Sequence, residues 1–191
     1  SAITCKQVYF EFTTPTNSEF FIYMDTHSKM TLDGVGMKVP EKHQSVIGMS
    51  ASELSIRNST IFSKIDLSEG SKLTLENVHI EKFGNNTIHA KDSEVIAKNS
   101  TITGGDLEKD FPPVWLRNVI WESENCKIEL PTGTGVCLDN NVQFNSDSDR
   151  ITSINSFNSM IRAHQATFTE FLCVYEESFA SLTGETTFLN E

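Results

Sequence analysis

Ser28-Lys-Met-Thr-Leu-Asp-Gly34 recurs as Ser52-Glu-Leu-Ser-Ile-Arg-Asn58, Ser71-Lys-Leu-Thr-Leu-Glu-Asn77 and Ser93-Glu-Val-Ile-Ala-Lys-Asn99. A fixed internal period dictates a whole architecture, because each unit can bury its apolar face only against its neighbours. Further starts at Pro112, Thr134, Ser159 and Ser178 give spacings of 24, 19, 22, 19, 22, 25 and 19, about 21 residues on average and within the solenoid range. Two residues after each start stand Met30, Leu54, Leu73, Val95, Val114, Val136, Ile161 and Ala180. Four after stand Leu32, Ile56, Leu75, Ala97, Leu116, Leu138, Ala163 and Leu182. Alternate residues of a strand share a face, so both columns point inward.

The sixth position reads Gly34, Asn58, Asn77, Asn99, Asn118, Asn140, Gln165 and Gly184. Asn and Gly tolerate positive φ, so a sharp corner follows each strand. Stacked Asn amides can also bond along the column. A ninth-position column, Met37, Ile61, Ile80, Ile102, Trp121, Gln143, Phe168 and Thr187, supports the alignment. Ile65 with Leu67, and Ile88 with Ala90, mark a second strand before the next start. The fold class expected is all-β, a single-stranded right-handed parallel β-helix solenoid of about eight coils. Residues 1–27 read as an N-terminal cap or extra coil, and 28–191 as the β-helix, a fragment of a longer protein. Asp106 to Pro113 reads as a protruding loop.

Composition excludes several classes of partner. With 26 acidic residues against 15 Lys and Arg, the net charge of −11 would repel nucleic-acid phosphates and anionic membranes. No apolar run is long enough for membrane insertion. The four cysteines show no CxxC or Cys/His zinc spacing, so neither metal nor cofactor is expected. They read as free thiols, which weakens but does not overturn an extracellular assignment. Asn58, Asn85 and Asn99 each begin an N-x-S/T sequon, but the corner ladder accounts for Asn58 and Asn99. His79 and His89 read as ordinary surface or turn residues.

Function must be sought on the outward positions. Lys29, Glu53, Lys72 and Glu94 alternate in sign one residue after the starts. Asp33, Arg57, Glu76 and Lys98 do so five after. Neighbouring rungs bring these side chains together as two ion-pair ladders. After Ser93 the outward face turns apolar and aromatic, with Met160 and Phe179 at the first position and Ile96, Trp115 and Arg162 at the third. These five are the candidate partner-binding residues, Trp115 foremost, since exposed apolar patches mark contact surfaces. Arg117, Asp139 and His164 follow one another in the fifth column. They are the candidate catalytic set: an Asp orienting a His as general base, with Arg117 or Arg162 holding an anion. A continued ion-pair ladder explains them without extra assumptions and is the preferred reading. The loop acids Asp106, Glu108 and Asp110 lack the Gly and terminal Glu of a calcium loop.

Strand, Asn corner and coil length together resemble the pectin-lyase-like β-helix superfamily over residues 28 to 188. The resemblance implies an architecture shared by polysaccharide lyases, glycoside hydrolases, phage tailspikes and passenger domains of bacterial adhesins. It implies no activity, because the Asn-Thr-Asp, Asp-Asp, Gly-His-Gly and Arg-Ile-Lys signatures of polygalacturonase-like members are missing. So is the Trp-Ile-Asp-His stretch of pectate lyases. The expectation is a non-catalytic recognition or scaffolding domain of a bacterial surface protein or secreted effector, an adhesin or virulence module binding a protein or glycan. That places it outside the cell or on the cell surface. The alternatives are a tailspike segment, which would be a homotrimer, and a polysaccharide-active lyase or hydrolase.

Overall fold

The computed structural model describes residues 1–11, 21–38, 47–83, 86–105, 112–129 and 135–189. They form a parallel β-solenoid with no helix, nine strands deep on two of its faces and eight on the third. Each turn contributes a strand to three faces. The first face stacks Ala2–Lys6, Lys29–Asp33, Glu53–Arg57, Lys72–Glu76, residues 94–98 and 120–124, Gln143–Asp147, Met160–His164 and Phe179–Thr183. The second face is a nine-stranded sheet running from Tyr9–Glu11 to Thr187–Phe188. The third runs from Ile22–Met24 through Ile47–Ser50, Ile65–Ser68, residues 88–91 and 114–117, Val136–Asp139 and Ile154–Phe157 to Leu172–Tyr175. Ile88–Lys98 and Val114–Glu124 bend around the corner and serve both the third and first faces. The strands of residues 2–24 pair with the turn that follows and so continue the solenoid.

The inward columns pack as the alternation requires. Leu32, Ile56, Leu75 and Ala97 are fully buried on the first face, and Met37, Ile61, Ile80 and Ile102 on the second. Corners are left-handed. Asn58, Asn77, Asn99 and Asn125 have φ between 48° and 55°, a region that Asn enters with little penalty. Each of their backbone N–H groups donates to a carbonyl one rung on, as Asn58 N does to Glu76 O at 3.0 Å. The amide ladder is present where Asn77 Nδ2 donates to Asn58 Oδ1 (3.2 Å) and Asn58 Nδ2 to Asp33 Oδ1 (3.0 Å).

One part of the expected alignment changes. The first-face starts after Ser93 are Val119 and Val142 rather than Pro112 and Thr134, as the pairings of residues 94–98 with 120–124 and then 143–147 require. Val114–Arg117 and Val136–Asp139 belong to the third face. The reason is a second left-handed corner, between the third and first faces, where Asn118, Asn140, Asn141 and Asn158 also take positive φ. It carries its own amide ladder, from Asn141 Nδ2 to Asn118 Oδ1 and from Asn158 Nδ2 to Asn140 Oδ1. Both corners therefore leave the same apolar-x-apolar-x-Asn signature. Trp121 is accordingly an inward residue of the first face, not the second.

The corrected phase exposes a polar knot inside the barrel. Trp121 stacks on Phe144, with centroids 5.7 Å apart and planes at 13°. The next inward residues, Ser123 and Ser146, meet Asp149, which is only 1% exposed. Ser123 Oγ donates to Asp149 Oδ2, as does Ser146 Oγ at 2.7 Å, and Cys126 N donates to Oδ1 at 2.7 Å. Trp121 Nε1 donates to Ser123 Oγ at 2.8 Å. The corner N–H of Cys126 needs an acceptor from the next rung. Ser59 serves Val35 in that way and Ser100 serves Val78; Asp149 has no hydroxyl to donate, so the two serines supply the protons.

Burial raises the Asp149 pKa above the usual carboxylate range, although the Ser123, Cys126 and Ser146 hydrogen bonds oppose the shift. Burial, aided by the Asp149 charge, likewise pushes the Cys126 thiol up to about 12. A folded-state pKa above the unfolded one means that the native state holds the proton more tightly. The stability from this group is complete below the unfolded value and is lost as pH rises through the folded one. Asp149→Asn keeps an acceptor for Cys126 N and removes the charge. Its stability relative to the parent should therefore improve as pH rises from about 4 to about 7. Urea midpoints at both ends of that interval measure this, and a difference that stays constant or falls would contradict it.

Candidate functional site

On the first face the expected ion-pair ladders are formed. Lys29 reaches Glu53 at 2.8 Å, Lys72 reaches Glu94 at 2.7 Å, Arg57 reaches Glu76 at 3.4 Å and Lys98 reaches Glu124 at 2.9 Å. These pairs are exposed and contribute register more than stability. The first-position column then loses its charges and runs Ile120, Gln143, Met160 and Phe179, with the polar Gln143 between the apolar residues. Phe179 is 59% exposed. Ile96 and Arg162 also lie on this face, in the third-position column.

The third face is different. Its outward column runs Tyr23, Gly48, Asp66, His89, Trp115, Cys137, Asn155 and Cys173, each paired in register with the next. The parallel column beside it contains Lys91, Arg117, Asp139, Phe157 and Tyr175. Contacts run unbroken from Lys64 to Asp139. Lys64 Nζ is 2.8 Å from Asp66 Oδ1, and His89 Nδ1 is 3.0 Å from the same oxygen. The His89 ring lies 4.6 Å from the Trp115 ring, and the Arg117 guanidinium sits 5.3 Å over the Trp115 centroid. Arg117 Nε donates to Asp139 Oδ2 at 2.9 Å. Phe157 and Tyr175 stack at 4.9 Å. At the N-terminal end a cleft of about 310 Å³ is lined by Tyr23, Gly48, Met49, Asp66, His89 and Lys91, among others.

The candidate partner-binding residues are thus divided. Trp115 stands on the third face, whereas Ile96, Arg162, Met160 and Phe179 stand on the first. The candidate catalytic set is divided as well. Arg117 and Asp139 are paired on the third face, but the next residue in that column is Phe157. His164 lies on the first face, with Asp147 and Thr183 as its register neighbours. Its Nδ1 is 3.1 Å from Thr183 Oγ1. An open groove of about 370 Å³ there gathers Glu122, Asn145, Asp147, Arg162, His164 and Thr183. The carboxylate beside His164 is Asp147, which the misphased alignment could not reveal. His89, read from sequence as an incidental surface residue, is the centre of the third-face line.

All four cysteines are free. Cys137 and Cys173 share a column on the third face, with Asn155 between them. Among the described residues no group of three or more His, Cys, Asp or Glu could hold a metal ion. Nor is any helix among them long and apolar enough to cross a membrane. Residues 106–111, expected from sequence to form a loop and including Asp106, Glu108, Asp110 and Phe111, and the sequon residue Asn85 lie outside the described residues. Compared with protein-family models, curated proteins and solved structures, the chain matches none.

Proposed function

We propose that this solenoid is a recognition domain that presents its third face to a partner, in the manner of a bacterial surface protein or secreted effector. The observation that carries the reading is the outward Trp115, held between the His89 ring and the Arg117 guanidinium. A large aromatic fixed in this way on a parallel sheet is a preorganised contact, with little side-chain entropy left to lose on binding. The acids of the line are engaged as ion-pair partners, Asp66 with Lys64 and His89 and Asp139 with Arg117, which supports holding rather than proton transfer. Trp115→Ala should leave the fold intact, because the ring points away from the core. It should weaken partner binding at least about tenfold, the effect of losing one aromatic anchor. A panel of polysaccharides and candidate proteins, screened for binding and for new chain ends, tests the reading. Equal binding by the variant would remove the third face from consideration, and cleavage of a polysaccharide would replace recognition by catalysis.

One observation favours a second reading. Met160 and Phe179, adjacent in register, and Ile120 beyond Gln143 put apolar side chains on the first face, of the kind that packs against sister chains in a tailspike. Sedimentation equilibrium decides between them: a stable trimer supports the tailspike reading, and a monomer removes it.

A further inference from the structure

The groove on the first face lies beyond the ion-pair ladders, and the charges gathered in it point to a ligand class. We propose that it binds a free α-amino acid with an apolar side chain, the ligand's carboxylate on Arg162 and its ammonium on Glu122 and Asp147. The site belongs to the first face and is independent of the third-face recognition reading.

The placement of opposite charges carries the argument. On the N-terminal side of the groove, neighbouring rungs pair opposite charges, the last pair being Lys98 with Glu124. Beyond it, Glu122, Asn145, Arg162 and Ser181 follow one another in register, and Asp147, His164 and Thr183 do so in the column beside them. Among the described residues Glu122, Asp147 and Arg162 make no ion pair with one another or with any neighbour. The neutral Asn145 is the reason: it sets Glu122 and Arg162 two rungs apart, about 9.6 Å at strand separation. Asp147 stands on the rung between them and accepts a hydrogen bond from Ser148 Oγ at 3.0 Å, which orients its carboxylate. A guanidinium therefore faces two carboxylates across a groove of about 370 Å³. Guanidinium takes a carboxylate through paired N–H donors, and a carboxylate takes an ammonium. Each such contact fills about 3 Å, so the span leaves the ligand's two charged groups only a few Å apart, as they are on one α-carbon. Met160 and Phe179 stand two residues before Arg162 and Ser181 on their strands and on the same face. They offer an apolar wall to the ligand's side chain.

Ligands of one sign fit less well. A simple anion would meet Glu122 and Asp147 beside Arg162, within a chain of net charge −11. A simple organic cation would satisfy the carboxylates and be repelled by Arg162. A metal ion would find no ligand set, since among the described residues no group of three or more His, Cys, Asp or Glu could hold one. A zwitterion meets both signs at once.

Calorimetric titration of the whole domain with leucine, phenylalanine and glycine, and with N-acetyl-leucine and leucinamide beside them, tests the proposal. Leucine and phenylalanine should bind, and added salt should weaken them. Each blocked form lacks one charge and should bind at least about tenfold more weakly, and glycine at least about fivefold. Arg162→Gln and Glu122→Gln, both outward changes, should each lower leucine affinity by about tenfold or more; circular dichroism checks that both variants are folded. Blocked forms that bind within about twofold of leucine overturn the zwitterion. Leucine affinity kept within about twofold in both variants overturns the groove as its site. Glycine binding as tightly as leucine overturns the apolar side chain. No heat of binding from any of the three free amino acids up to about 10 mM sinks the proposal altogether.

Discussion

Trp121→Ala is expected to lower the stability of the domain by about 3–5 kcal/mol, the cost of deleting a large buried aromatic. Trp121 is fully buried and among the largest such side chains. It fills the interior of the first face between Val95 and Phe144, its partners in register. Truncation leaves a cavity spanning neighbouring rungs, and a stiff stack of strands can close it only partly. It also removes the donor to Ser123, whose hydroxyl in turn holds Asp149. Trp121→Phe preserves the stack on Phe144 and loses mainly the hydrogen bond, so most of the stability should return. Urea unfolding followed by circular dichroism measures both variants. A loss below about 1 kcal/mol for the alanine variant would show that the interior repacks freely, contrary to this account. Because a solenoid couples each rung to its neighbours, the loss should appear as an earlier transition of the turns flanking residue 121.

Gly104→Ala is the second large effect. Gly104 has φ +136°, and an added Cβ would lie 2.0 Å from Lys82 O and 2.4 Å from Thr87 Oγ1. Neither neighbour can step aside. Lys82 sits in His79–Phe83, which pairs directly with Thr101–Gly105, and Thr87 Oγ1 donates to Thr103 O at 2.7 Å. Backbone strain of about 1–3 kcal/mol adds to about 1–3 kcal/mol for overpacking, so a loss of about 3 kcal/mol or more is expected. Gly70→Ala is the control, since it too has positive φ but its Cβ would meet nothing within 4 Å. It should cost about 1 kcal/mol. Thermal midpoints of the two variants should therefore differ clearly, and equal midpoints would mean that strain alone governs position 104. Thr87 leads directly into Ile88–Lys98, which carries His89, so the damage at Gly104 should reach the third-face site as well.

How far the candidate site was legible depends on the residue. Lys29, Glu53, Lys72 and Glu94 could be paired from sequence, because their units lie in unbroken phase and parallel strands bring like positions together. Trp115 could be recognised as outward, since either assignment of its strand leaves it between the inward Val114 and Leu116. Its neighbours could not. Asp139 was set beside His164 and Trp115 beside Ile96 because the Asn corners after the third and first faces look alike. Once the phase is right, Asp147 falls beside His164 and His89 beside Trp115. The signal that would have found them is the length of Ile88–Lys98 and Val114–Glu124, each of which contains two inward-facing runs joined by a corner residue, Asp92 or Asn118.

The sequence by itself determined the architecture of this protein: a period of about 21 residues, two inward columns, Asn at left-handed corners and charge ladders that set the register. Those features are local or repeat with the coil, so they survive without knowledge of the fold. Which face each coil presents to solvent was decided only by the tertiary structure. A strand shows the alternation of buried and exposed residues but not which wall of the solenoid it belongs to, and two walls that end in the same corner cannot be told apart along the chain. The Tyr23-to-Trp115 line, assembled from strands far apart in sequence, exists only because the turns stack in one particular phase.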